Sequence, residues 1–365
     1  PKVHVRDIWL KAELLSGNTT GQLTPVIKLD GETEGAKVHL RLTDREGYAL
    51  YDDFTDGSAI TLEGIHPWSH EKPILYHAVL TLQDASSAVQ EVVPYDIGFR
   101  RFEMLNGVMC LNGKRIVVNR HEWNPKKGRA IDADDMHAAM AVFKKNNINA
   151  VRTCHYPNQS LWYDLCDQNG IYMIDETNLE SHGSWQKLGT VEPSWNVPGS
   201  LPEWRDCVVD RARSMFERDK NHAAVLIWSC GNESYAGKDI RAMANFFRAN
   251  DPGRLVHYEG VFHCREFDIS EFQHVGRLAA RRRAGVEHNL PVLRVERLNR
   301  QLAAGILHRD HAFGETRDLA DRERFLQRDG VHAGAIGFDS GLLQFGDIGV
   351  RVRLSGIHAE RQGSL

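Results

Sequence analysis

The sequence predicts an immunoglobulin-like β-sandwich, then a partial (β/α)8 TIM barrel, then an atypical Arg-rich C-terminal segment. Three observations predict this order. Up to about residue 101, short runs alternate apolar and polar residues between Asp-Gly turns. From about 102 to 270, short apolar strands instead alternate with amphipathic stretches of helical period. After Ser270 the chain has no Trp, Tyr, Cys, Met or Lys, although it holds 8 Trp, 9 Tyr, 6 Cys and 7 Met in all.

In the first region Val38, Leu40 and Leu42 alternate with polar residues, as do Ala78, Leu80 and Leu82. Asp30-Gly31 and Asp56-Gly57 supply turns, and strands at this spacing suit a small sandwich.

The second region reads as five βα units. Arg115–Arg120 is the expected first strand. Asp132, with Asp135 three residues on, is the expected cap of a helix whose apolar face is Met136, Ala139, Met140 and Phe143. Asn149–Cys154, Ile171–Ile174, Val225–Ser229 and Leu255–Tyr258 are the following strands. Leu161–Asp167 and Ile240–Phe247 are helices. Another helix, with Pro202 in its first turn, carries the stripe Trp204, Val208, Ala212, Met215 and Phe216. Repeated units of this length favour a parallel eight-fold barrel, of which five strands are visible.

Composition is that of an ordinary soluble protein, with 42% hydrophobic and 26% charged residues. A net charge of −4 gives no global reason to expect nucleic acid or a membrane as partner. The cysteines are scattered without a CxxC pair, which suits free thiols in a reducing, cytoplasmic setting. The chain opens at Pro1 without a Met, so the lack of a leader is uninformative. The segment 271–365, with its run Arg281-Arg282-Arg283, reads as a stretch of different origin such as a shifted reading frame. A divergent continuation or an Arg-rich tail are the alternatives.

Parallel barrels build their sites at the carboxyl ends of strands. Four consecutive strand ends here carry polar clusters: Asn119–Pro125, Cys154–Asn158, Asp175–Gly183 and Trp228–Ser234. Cleaving a glycosidic bond needs a proton donor for the departing oxygen and a carboxylate on the opposite face. Glu233 suits the donor role, and the adjacent Asn232 suits a sugar hydroxyl. Glu180 and His182, two apart, could join Glu233 around a hard divalent cation, Mg²⁺ or, given the His, Mn²⁺. His121 and His155 are candidate sugar or transition-state contacts.

Blander readings stand beside these. Glu233 also suits a helix start, Glu180 with His182 an ordinary loop pair, and the two histidines structural roles. Asp175 and Glu176 read as structural. Trp162, Tyr163, Trp204 and Phe216 read as core, whereas Trp123 and Trp185 are possible sugar platforms.

Together these motifs resemble the β-galactosidases of glycoside hydrolase family 2, almost continuously from Gly98 through Ile269. Pro67–Pro73 and Gly98-Phe99-Arg100 resemble the sandwich domain that precedes that family's barrel. The resemblance implies retaining cleavage of terminal β-D-galactose from lactose-type β-galactosides. It implies Glu233 as acid/base, Glu180, His182 and Glu233 as Mg²⁺ ligands, and His121 and His155 as substrate contacts. It also implies a homo-oligomer for the intact enzyme. Residues 1–10 then correspond to the last strand of a truncated jelly-roll domain, with the sandwich over 11–101 and the partial barrel over 102–270.

The departures matter too. The family's nucleophile lies in a segment resembling Cys-Glu-Tyr-x-His-Ala-x-Gly-Asn, and nothing after Ser270 looks like it. Glu287 and Glu296 lack that context, so the nucleophile stays unassigned, and the family's Na⁺ site is not locatable. Two alternatives therefore remain: a non-catalytic sugar-binding or structural remnant, and a β-glucuronidase or β-mannosidase of the same family.

Overall fold

Alternation in the first region closes two antiparallel sheets over one core. The computed structural model describes residues 1–123, 125, 127–182, 197–234 and 237–259. Asn124, Trp185, Cys264 and the segment 271–365 lie outside these described residues. One sheet contains β1 (Val3–Leu14), β2 (Thr20–Gly31) and β5 (Ile60–Glu63) in the order β1-β2-β5. The other contains β3 (Lys37–Thr43), β4 (Ala49–Thr55), β6 (Tyr76–Gln83) and β7 (Val89–Ile97) in the order β4-β3-β6-β7. Val38, Leu40 and Leu42 from β3 and Tyr76, Ala78, Leu80 and Leu82 from β6 are buried with Leu10, Leu23 and Phe99 in that core. Each such large side chain contributes about 1.5–3 kcal/mol by leaving water.

The N-terminal boundary needs correction. β1 pairs with β2 from Val3 opposite Gly31 to Leu14 opposite Gly21. Val3, Ile8, Leu10 and Leu14 all enter the same core, so no domain break falls at residue 10.

The expected strand Arg115–Arg120 is also corrected. β8 (Phe102–Leu105), β9 (Val108–Leu111) and β10 (Lys114–Arg115) form an antiparallel meander. Its turns are Asn106-Gly107 and Asn112-Gly113, both with positive φ at both residues. That is the preferred chemistry of two-residue hairpins. The second turn draws Arg115 back against Cys110, and the first parallel strand begins only at Arg120.

Five parallel strands follow: β11 (Arg120–Trp123), β12 (Ala150–Thr153), β13 (Tyr172–Glu176), β14 (Val225–Ser229) and β15 (Leu255–His257). They lie side by side in chain order. A doubly wound sheet reverses its order at a switch point, whereas a barrel does not, so this sheet is a barrel arc.

Its helices are α1 (Ala133–Lys145), α2 (Ser160–Asn169), α3 (Pro202–Asp219) and α4 (Lys238–Asn250). The side chain of Asp132 caps α1 by accepting the Asp135 N–H at 2.9 Å. The α3 stripe is buried from Val208 to Phe216, but Trp204 in its first turn is 37% exposed and does not join the core.

Period-two alternation gives the sheet two faces. His121, Trp123, Asp175 and Trp228 face the helices, where Trp123 stacks on Trp162 and Trp228 on Phe247. Glu122, Arg152, Glu176 and Ser229 bond one another on the other face. The sandwich is tied to the barrel by Trp68, which donates to the Asp167 carbonyl at 2.8 Å, and by Arg100, which donates to Ala223 and Val225. No described helix is long and apolar enough to cross a membrane.

Candidate active site

The segments following β13 and β14 meet above the strand ends. Asn232 N–H donates to the Leu179 carbonyl at 2.9 Å, and Ser181 N–H donates to Ser234 Oγ at 2.9 Å. Glycine permits this approach. Gly231 has φ +127°, and a Cβ there would lie 2.6 Å from the Leu179 oxygen.

The next residue but one, Glu233, also has a left-handed φ of 31° and is 4% exposed. Such backbone is uncommon for Glu, and strain of this kind clusters at functional sites. Its Oε2 meets His182 Nδ1. Glu180, His182 and Glu233 each offer one donor atom, and these atoms all lie within 4.8 Å of one another. Two carboxylate oxygens and one imidazole nitrogen are a donor set that fits a hard divalent cation. Glu180 itself is exposed, and its Oε1 accepts Asn232 Nδ2–H at 2.9 Å.

A buried ionic network underlies this cluster. Arg152, 1% exposed, donates to Glu176 Oε2 at 2.7 Å, to Glu122 at 3.3 Å and to Asn232 Oδ1 at 2.7 Å. Glu176 also accepts Ser229 Oγ–H at 2.7 Å and is paired with His155 Nδ1 at 2.7 Å. Burial alone would raise the Glu176 carboxyl, but Arg152 and the hydrogen bond from His155 bring it down to about 2. Asp175, on the opposite face, is driven the other way. Burial and the neighbouring Asp219 charge push its carboxyl well above the usual range, while Tyr163 donates to it at 2.6 Å.

The structure thus gathers Glu180, His182, Asn232 and Glu233, and connects His155 to them through Glu176 and Arg152. It does not bring His121 there. That ring packs edge-on against Phe143 of α1, at 5.4 Å between centroids. Trp123, a possible sugar platform on a strand-end loop by sequence, is instead within β11, 4.5 Å from Trp162 with the rings stacked. Arg152 escaped the sequence reading. Its signal is an Arg inside Ala-Val-Arg-Thr, a strand otherwise free of charge, because a buried charge requires partners.

A barrel arc with carboxylates and imidazole gathered where its strands end defines a protein with the architecture of barrel enzymes. The chain belongs to glycosyl hydrolase family 2. Residues 102–286 match "Glycosyl hydrolases family 2, TIM barrel domain", and residues 3–100 match "Glycosyl hydrolases family 2". The barrel match runs past residue 270, where the compositional break was placed.

Among curated proteins, a "Beta-galactosidase" of Streptococcus thermophilus is 54% identical over 73% of this chain and 27% of its own length. One from Clostridium acetobutylicum is 53% identical over 73% of this chain and 31% of its own. A "Beta-galactosidase large subunit" of Lactobacillus acidophilus is 50% identical over 73% and 44%. The chain therefore spans less than half the length of these relatives. Among solved structures, a β-glucuronidase from Ruminococcus gnavus has a TM-score of 0.60 at 23% identity, covering 71% of this chain and 43% of that one. At that identity the likeness is one of fold.

Proposed function

We propose that this chain carries the acid/base part of the active site of a retaining β-galactosidase, which removes terminal non-reducing β-D-galactose from lactose-type β-galactosides. The carrying observation is the buried Glu233, held in left-handed backbone against Glu180 and His182 at a strand end. The relatives named β-galactosidase, at 50–54% identity, supply the sugar.

In this reading Glu233 protonates the leaving oxygen and later takes a proton from water. Asn232 and His155 contact sugar hydroxyls; His121 gains no support from its place on the helix face. Glu180, His182 and Glu233 would hold Mg²⁺ or Mn²⁺, whose charge would fix Glu233 in place and govern how readily it gives up its proton. In a retaining enzyme the opposing carboxylate stands about 5–5.5 Å from the acid. That nucleophile belongs to a later strand by resemblance, and residues from 260 onward lie outside the described ones.

An assembly with further subunits accords with the "large subunit" names of some relatives. A cytoplasmic location accords with the buried free thiols of Cys110, Cys154, Cys166 and Cys230.

The test is a panel of chromogenic β-galactoside, β-glucuronide and β-mannoside given to the purified chain, with and without Mg²⁺, beside Glu233→Gln. Galactoside turnover lost in Glu233→Gln is the expected result. Preference for glucuronide or mannoside would move the substrate elsewhere in the family. A folded chain that turns over none of them would be the non-catalytic remnant.

A further inference from the structure

We propose that Glu176 is a positioning residue that sets the hydrogen-bonding sense of His155 and Asn232 together. The inference rests on the reading of these two residues as sugar contacts. Glu176 is fully buried in β13, and both of its carboxylate oxygens are engaged. A carboxylate that is ionised near neutrality only accepts hydrogen bonds. The His155 nitrogen 2.7 Å away must therefore carry a proton, so the neutral imidazole of His155 is the Nδ1–H tautomer. Its Nε2 is left with a lone pair, ready to accept from a hydroxyl.

The same carboxylate holds Arg152 by its Nε, and this aims the guanidinium's Nη2 at the Asn232 side chain. A guanidinium only donates, so the Asn232 carbonyl oxygen must face it. A flipped amide would set NH₂ against N–H and abandon Glu180, which now accepts from Asn232 Nδ2. One buried anion thus makes His155 an acceptor and turns the N–H groups of Asn232 away from Arg152. A sugar recognised by both groups offers a hydroxyl that donates to His155 and an oxygen that accepts from Asn232. Vicinal hydroxyls do this.

The test is nitrogen-15 NMR of the full chain labelled at histidine, near pH 7.5, with His155 assigned by the peak lost in His155→Gln. The expected spectrum has a protonated, pyrrole-like Nδ1 and a pyridine-like Nε2. In Glu176→Gln, His155 should become a tautomer mixture and thiogalactoside affinity should fall about tenfold, while Glu176→Asp restores part of both. A proton on Nε2 in the wild type would overturn the proposal without recourse to any variant. So would an unchanged His155 spectrum in folded Glu176→Gln. Wild-type chain with the Nδ1–H tautomer but no thiogalactoside binding would count against the galactosidase reading and leave the role of Glu176 standing.

Discussion

Arg152 on β12 and Asn232 beyond β14 are 80 residues apart in sequence, yet the guanidinium reaches the amide oxygen at 2.7 Å with both residues buried. The loop that bears Glu233 is therefore anchored to the interior of the sheet through a charge. A guanidinium removed from water this completely persists because Glu176 and Glu122 compensate it.

Arg152→Met should destabilise the fold by about 3–5 kcal/mol, because Glu176 is left buried and ionised without its partner. Adding Glu176→Gln should recover a substantial part of that loss. The pH dependence follows from the depressed Glu176 carboxyl. Its contribution is present above the ordinary value of 4.5 and is lost as pH falls toward about 2. Urea unfolding of the single and double variants between pH 3 and 7 checks both points. A double variant no more stable than Arg152→Met would show that the pair is not the source of the loss.

Gly231→Ala should cost about 1–3 kcal/mol from backbone conformation alone. The real cost should be higher, since the new Cβ meets the Leu179 oxygen at 2.6 Å and the Leu179 Cβ at 2.9 Å. Backbone cannot yield as a side-chain tip does. The shift must pass into Asn232 and Glu233, so the variant should also weaken the proposed Mg²⁺ binding. Denaturation and a Mg²⁺ titration on one preparation read the two effects. Wild-type values in both would mean that the loops are not held as tightly as this contact implies.

The strand-end carboxylates were legible because each sits in a contiguous polar cluster after an apolar strand. Val225–Ser229 is a strand with the bounds read from sequence, and Asp132 caps its helix as read. What could not be read depends on register. Shifting a strand by one residue moves every side chain to the other face, and that alone separates His121 on the helix face from Glu122 on the network face. Arg152 and Glu176 look like lone charges in separate strands until parallel pairing sets them side by side. The meander over Phe102–Arg115 is hard to read because its strands are only 4, 4 and 2 residues long, which leaves the two Asn-Gly turns as its chief signal.

Asp175→Asn should be tolerated at neutral pH and should gain on the wild type as pH rises. Burial and the Asp219 charge raise the folded Asp175 carboxyl far above its ordinary 3.8. With a raised folded value, the stabilising contribution is complete below the unfolded value and is lost as pH climbs. Each pH unit of that climb costs the wild type up to about 1.4 kcal/mol relative to a residue that does not titrate. Asn keeps an oxygen to accept the Tyr163 hydroxyl. Unfolding free energies of both proteins at pH 5 and pH 8 settle it, and a difference that stays constant would sink the idea.

His222 should make the sandwich–barrel junction sensitive to mild alkali. Its Nδ1 lies 2.7 Å from Asp167 Oδ2, while Asp167 Oδ1 accepts the Ala224 N–H at 2.7 Å and the Asp167 carbonyl accepts Trp68. Burial lowers the imidazole's affinity for a proton, but the charge and hydrogen bond of Asp167, with Asp219 and Asp164 beyond, outweigh it and leave the group above its ordinary 6.5. A raised folded value contributes stability that is complete below about 6.5 and disappears as pH passes through that raised value. His222→Gln can still donate to Asp167 but cannot titrate. The stability difference between wild type and His222→Gln should therefore favour the wild type at pH 6 and shrink steadily toward pH 9. Because Asp175 titrates alike in both proteins, its effect cancels in that difference. A difference independent of pH would mean that Asp167 is held by the neutral imidazole, and that the junction does not depend on its charge.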